Sequence, residues 1–183
     1  MPEEMIVRHC SPTLAGIKTG NLFSCNCAST DQLASEVRDL NKKLVPKGLR
    51  IIPLRVHQGR ALIYVYRPSR LKTDLLDMKA KRMLEDNGYL PENADLCVIH
   101  LMQRLQHEET FPHEIGLFLS YPPEDVYGFI EHHADGCKCV GCWKVYGDEE
   151  AARRTFEQYE KCTRIYWIQW EHGRSIERLT VAG

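Results

Sequence analysis

Residues 111–130 read Phe111-Pro112-His113-Glu114-Ile115-Gly116-Leu117-Phe118-Leu119-Ser120-Tyr121-Pro122-Pro123-Glu124-Asp125-Val126-Tyr127-Gly128-Phe129-Ile130. Ile115 to Leu119 is an unbroken apolar run, the pattern of a strand covered on both faces. Pro122 and Pro123 cannot continue a ladder but suit the first turn of a helix. Glu124 and Asp125 then sit where the helix dipole favours negative charge, with Val126, Phe129 and Ile130 as the inward stripe. The stretch therefore predicts a buried strand, a proline stop and a helix. His113-Glu114 enters the strand and Glu124-Asp125 leaves it. The stretch decides a fold class and names no reaction.

Downstream, residues 131–146 predict the end of a helix, a tight turn and a strand, and Asp148 caps a helix with Ala152, Phe156 and Tyr159 inward. Arg164 to Trp170 alternates like a strand, and Ser175 caps a short terminal helix. Upstream, Met5 to His9 is a short candidate strand, and Ser11-Pro12 reads as a helix start. Ser29-Thr30-Asp31 caps a helix to about Val45, with Leu33, Val37, Leu40 and Leu44 on one stripe. Leu49 to Val56 and Ala61 to Arg67 predict a β-hairpin, with Pro53 marking an edge or a bulge. Pro68-Ser69 opens a helix that runs through Leu71, Leu75, Met78 and Met83 to Asn87-Gly88, and Ala94 to Glu108 forms another. The expectation is one domain over 1–183, α/β or α+β, with a mixed sheet of about six strands and helices packed on it.

An apolar content of 43% and a charged content of 27% place the chain among ordinary soluble proteins. A net charge of −1 argues against bulk nucleic-acid or membrane binding. No apolar run reaches membrane-span length and Met-Pro-Glu-Glu lacks a signal peptide's positive region, so the expected compartment is the cytoplasm. Charge is nonetheless lopsided. Residues 38–82 hold thirteen Lys/Arg against three Asp, and residues 83–160 hold sixteen Asp/Glu against five Lys/Arg. Such a split arises when successive helices pair their solvated faces, or when a basic face docks an acidic partner. Eight cysteines in a chain of this kind read as reduced thiols.

Cys10 falls just before the expected helix start, where unpaired backbone N–H groups stabilise a thiolate, so it is the candidate nucleophile. The bland alternative is a buried inert cysteine at a strand end. Its activator would be His113, if the two strands are neighbours, or Lys18. His113 and Glu114 diverge in a strand and are not an acid/base pair with each other. Glu114, entering an apolar run, needs a cationic or N–H partner if buried, and Lys18, Arg67 and Lys144 are the candidates. Lys144 interrupts an otherwise apolar strand, as an exposed residue or as a cleft lysine. Cys137, Cys139 and Cys142 with His133 have thiolate and imidazole chemistry suited to Zn or Fe, though only one C-x-x-C pair is present.

The segments F-P-H-E-I-G-L-F-L-S-Y-P-P-E-D-V-Y-G-F-I (111–130) and C-V-G-C-W-K-V-Y-G-D (139–148) resemble domain-of-unknown-function family 3793, found mainly in anaerobic Firmicutes. C-S-P-T-L-A-G-I-K-T-G-N-L-F (10–23) and Y-V-Y-R-P-S-R-L (64–71) are similar to that family too. The resemblance covers nearly the whole chain and implies no activity. It places Cys10, Lys18, Arg67, His113, Glu114, Asp125, Trp143, Lys144 and Tyr146 in family-typical segments, with Arg67, Trp143 and Tyr146 as candidate cofactor contacts. An aromatic residue often stands at the position of Cys142 in such proteins, which weakens the metal reading. Members resemble small accessory proteins, sometimes encoded near flavodoxin-like or iron-uptake genes.

Two functions follow as expectations. One is a cytoplasmic accessory or binding protein linked to redox or iron metabolism, with an acidic redox partner such as a flavodoxin-like protein. The other is a thiol-dependent enzyme with Cys10 as nucleophile.

Overall fold

The hairpin expected between Leu49 and Arg67 is the centre of the first of two units. The computed structural model describes residues 3–107, 110–133 and 135–183. Unit 1 comprises Met1–Ser69 with Cys162–Gly183, and unit 2 is Arg70–Lys161.

In unit 1, β2 (Arg50–His57) and β3 (Arg60–Tyr66) turn at Gln58 and Gly59, both with positive φ, as a two-residue turn requires to match strand twist. β1 (Gly20–Asn26) pairs with the other side of β3, so the order is β1-β3-β2 and every pair is antiparallel. The β2 register shifts between Pro53 and Arg55, so Pro53 sits at both an edge and a bulge, as its missing N–H demands. One face of the sheet sends Phe23, Cys25, Ile51, Ala61, Ile63 and Val65 into a buried cluster with helices on it. Helix α2 (Thr30–Leu44), capped by Ser29, contributes Leu33, Val37, Leu40 and Leu44 to that cluster as expected. The short helix α9 (Ile176–Leu179) is capped by Ser175.

Two expectations in this unit are corrected. Met5 to His9 is not a strand, and Ser11-Pro12 is not a helix start: both lie inside α1 (Glu3–Leu14). Ile6, Val7, Cys10 and Leu14, spaced along one helical face, are all fully buried, and that periodicity outweighs the local cap signal. Arg164 to Trp170 is likewise helical, within α8 (Glu149–Glu171). Between Asp148, whose carboxylate accepts the amide of Ala151 at 3.0 Å, and Gly173 no glycine or proline interrupts it.

Unit 2 is mostly helical. The single helix expected from Pro68 to Asn87 is two, α3 (Pro68–Asp74) and α4 (Met78–Asp86), because the Asp77 carboxylate takes the amides of Lys79 and Ala80 and starts a new helix. Met78 consequently points outward at 87% exposure instead of lining the core. Helix α5 is Ala94–His107, and the expected last residue, Glu108, lies outside the described residues. The organising run is not a strand but a one-turn helix, α6 (Ile115–Phe118), with every residue buried. A short apolar run reads the same in a buried strand and a buried helix, so pattern alone does not separate them. Ser120, at φ 55, ends it with the bonds of a Schellman motif: Tyr121 N–H to Gly116 O at 3.0 Å and Ser120 N–H to Leu117 O at 3.3 Å.

Helix α7 (Pro123–His132) follows the two prolines as expected. The strand expected near 139–146 is a small hairpin, β4 (Cys139–Val140) against β5 (Lys144–Val145). Among the described residues there are thus five strands in two antiparallel sheets, and the mixed six-stranded sheet is not found. Helix and sheet coexist as α+β, because three of the apolar runs taken for strands wind into helices.

Candidate functional site

Asp125 stands in the first turn of α7 and is 2% exposed. Its Oδ2 accepts the indole N–H of Trp143 at 2.7 Å, and its Oδ1 accepts the backbone amides of Tyr146 and Gly147, both at 2.7 Å. One carboxylate thus holds the β4–β5 hairpin and the chain after it against α7. The fit leaves no room for side chains at two glycines. A Cβ at Gly128 would lie 2.5 Å from the Tyr146 ring, and one at Gly141 would lie 2.3 Å from Phe156. Trp143 is stacked on Tyr121 at 4.9 Å and meets Phe156 edge-on at 4.6 Å. Trp143 and Tyr146, the candidate cofactor contacts, are thus used in joining hairpin to helix.

Shallow depressions border this turn. One, of about 580 Å³, lies between α4 and α7, with Lys79 and Arg82 on one wall and Glu124 and the half-exposed Tyr127 on the other. Two smaller ones, of about 240 and 280 Å³, meet at Ser120 and Pro122. The Lys79–Glu124 ion pair spans the largest at 3.9 Å, an exposed contact of little energetic weight.

His113 and Lys144 come together on one ring. His113 meets Phe129 edge-on at 4.9 Å, and the Lys144 ammonium lies 5.6 Å from the centre of the same ring. Glu114 turns the other way and is buried. Its Oε1 accepts the Tyr89 hydroxyl at 2.7 Å and a guanidinium N–H of Arg104. Lys18, Arg67 and Lys144 are the expected cations for Glu114, and the ion pair it makes is with Arg104, from the last turn of α5. Burial, then the Glu114 carboxylate, drives the Tyr89 phenol strongly upward, so it stays a donor. Tyr89 and Arg104 stand outside the sequence expectations, while Phe129 enters them only as part of the inward stripe. The signal available was Arg104 in helical register with buried Leu101 and Leu105, where a cation needs an acid.

Cys10, Lys18 and Arg67 belong to unit 1. Cys10 lies in the third turn of α1, not ahead of a helix, so the N–H groups expected to stabilise its thiolate are engaged in the helix. Burial pushes its thiol strongly upward; the Lys18 ammonium opposes this more weakly. Arg67 is 2% exposed and donates closely to three carbonyls, Thr13 at 2.7 Å, Leu14 at 2.7 Å and Val181 at 2.8 Å, and at longer range to a fourth, Lys47 at 3.5 Å. It closes the carbonyl end of α1, where a cation also meets the helix dipole, and ties the last residues of the chain to it. Arg67, a candidate cofactor contact, thus serves as a fold staple.

Among the described residues, no three His, Cys, Asp or Glu side chains gather in a way that could hold a metal ion, Cys137, Cys139, Cys142 and His133 included. The hairpin explains the dispersal: Cys139 is in β4 opposite Val145, while Cys142 lies exposed in the turn beyond it. Likewise no described helix is long and apolar enough to cross a membrane.

The profile of a family described as "Protein of unknown function (DUF3793)" matches residues 6–180. A curated relative, a G-type lectin S-receptor-like serine/threonine-protein kinase from Arabidopsis thaliana, is 26% identical over 130 residues. That alignment covers 65% of this chain but 14% of the relative, so the chain spans a small part of that protein's length. No solved structure matches.

Proposed function

The chain belongs to the DUF3793 family, and from that premise and the site geometry we propose an accessory binding protein without catalysis of its own. One observation carries the reading. The buried groups best suited to chemistry are engaged within the protein: Asp125 by three donors, Glu114 by Tyr89 and Arg104, and Arg67 by three carbonyls. A catalytic acid, base or nucleophile must be free to meet a substrate. What remains open is surface: the depression where Arg82, Met83 and Tyr127, residue types enriched at interfaces, stand with Lys79 and across from Asp86 and Glu124.

The partner proposed is an acidic redox protein of flavodoxin type, in a cytoplasmic setting of redox or iron metabolism. Three cations of residues 38–82 are paired within the chain, Lys42 with Asp39, Lys43 with Glu3, and Lys81 with Glu85 and Glu92. Docking rests on Arg82 and on Lys79, whose exposed pair with Glu124 is weak enough to be exchanged for a partner's carboxylate. The test titrates the full chain with a purified acidic flavodoxin-type protein. Expected is binding that weakens steeply with salt and is lost in the Lys79→Glu, Arg82→Glu double variant. Absence of binding at low salt, or equal binding by the double variant, overturns it. The second reading, a thiol enzyme using Cys10, has the nearby Lys18 in its favour and the burial of Cys10 against it.

A further inference from the structure

The two outer edges of the β1-β3-β2 sheet are not alike. The ladder between β1 and β3 is bracketed by Arg67 N–H to Thr19 O at 2.9 Å and Cys27 N–H to Gly59 O at 2.7 Å. By the alternation of antiparallel pairs, Asn21, Phe23 and Cys25 turn their peptide groups toward β3, and Leu22, Ser24 and Asn26 turn theirs outward. On the far side, Arg50 and Ile52 face β3, so Ile51 and Pro53 face out from β2. That edge is blocked along its first half. The side-chain amide of Asn41 takes both outward groups of Ile51, donating to its carbonyl at 2.8 Å and accepting its N–H at 2.9 Å. The next outward position, Pro53, has no N–H to offer. Arg50, Arg55 and His57 add charge and polarity along the same strand.

β1 has none of these protections. Gly20-Asn21-Leu22-Phe23-Ser24-Cys25-Asn26 contains no charge and no proline, and among the described residues no hydrogen bond reaches the outward peptide groups of Leu22, Ser24 or Asn26. Ser24 and Asn26 are exposed. We propose that this edge pairs antiparallel with β1 of a second copy of the chain, with the two-fold axis at Ser24. The strand is self-complementary in that register. Ser24 then faces Ser24 of the copy in a hydrogen-bonded pair, and Leu22 faces Asn26 on either side. Phe23 falls opposite Cys25, which joins the two buried clusters along one sheet face. A charged strand of another protein would find no counter-charge on β1, whereas an identical neutral strand meets no like-charge repulsion. A two-fold pairing uses the same edge in both copies and so closes at a pair, with Asn41 and Pro53 obstructing extension through β2.

The test is the mass of the full chain in solution, by light scattering behind size exclusion across micromolar to high micromolar loading. Expected is a concentration-dependent rise from 21.2 kDa toward twice that mass. Ser24→Pro removes the outward N–H at the axis and leaves the β1–β3 bonds in place, and should weaken association at least about tenfold. If circular dichroism shows that this variant is unfolded, Leu22→Lys and Asn26→Lys, which place like charges across the pair, decide with the backbone unchanged. A wild-type chain that stays at 21.2 kDa throughout overturns the proposal. So does a dimer that survives the folded β1 variants, or a β1 edge that takes up another protein but not a second copy.

Discussion

Asp125 accepts the indole N–H of Trp143 at 2.7 Å while its other oxygen collects two backbone amides, so one buried carboxylate fixes helix α7 and the cysteine-bearing hairpin as a single piece. Each donor left unsatisfied in a buried place costs about 1–3 kcal/mol. Asp125→Ala, which orphans three, should lower stability to urea by roughly 3–5 kcal/mol and red-shift the Trp143 emission. Asp125→Asn keeps one acceptor oxygen and should cost clearly less. A double-mutant cycle with Trp143→Phe isolates the indole bond, and a coupling near zero would remove Asp125 from the role given to it.

Glu114 calls for a different comparison. It is buried and paired to Arg104, and removal of one partner of such a pair strands the other charge. Glu114→Ala should therefore cost about 3 kcal/mol, and the double variant Glu114→Leu, Arg104→Met should recover much of that loss. Chemical denaturation of the three proteins reads this directly. A double variant no more stable than Glu114→Ala would show that a stranded Arg104 charge is not the source of the loss.

How much of this was legible in the sequence depends on what each signal measures. Ser29, Ser175 and Asp148 announce helix starts, and Pro53 announces an edge and a bulge, because caps and proline act on their own peptide groups. Ile115–Leu119 and Arg164–Trp170 were misread because a short apolar run reports burial, not backbone conformation. At the site, the need of Glu114 for a partner was legible, since burying a carboxylate costs energy wherever it occurs. Which cation answers was not: Arg104 reaches it through tertiary packing, ten residues away along the chain. The mobility of meaning was greatest for Cys10. Its reactive reading depended on one helix boundary, and with α1 beginning at Glu3 that basis disappears.

Thiol accessibility separates the cysteines without any assumption about function. Cys142 is exposed and Cys10, Cys25, Cys27 and Cys97 are buried. In the folded chain at neutral pH, iodoacetamide followed by peptide mass mapping should mark Cys142 first and leave Cys10 unmodified until the protein is unfolded. Rapid native labelling of Cys10 would reverse the preference for a binding protein over a thiol enzyme.

The same burial predicts an alkaline limit to stability. Desolvation pushes the Cys97 and Cys162 thiols from 9.0 up to about 11, and the Tyr121 and Tyr159 phenols from 10.0 up to about 12; Cys10 is driven up further still. Above pH 9 the unfolded chain releases thiol protons that the folded chain retains, so it binds fewer protons and stability falls as pH rises. The contribution of these thiols is complete below pH 9, declines from 9 toward 11, and the tyrosines extend the decline from 10 to 12. Partial exposure at Cys162 softens the slope, because water screens what it reaches. Thermal melts under reducing conditions should therefore show a falling Tm from pH 9 upward. Cys162→Ala removes one of these titrating groups, so its Tm should decline less steeply across that window than the wild type's, whatever it loses at neutral pH. A wild-type Tm that holds steady to pH 11 would mean that these thiols and phenols are solvated in the folded state, against the packing described for both units.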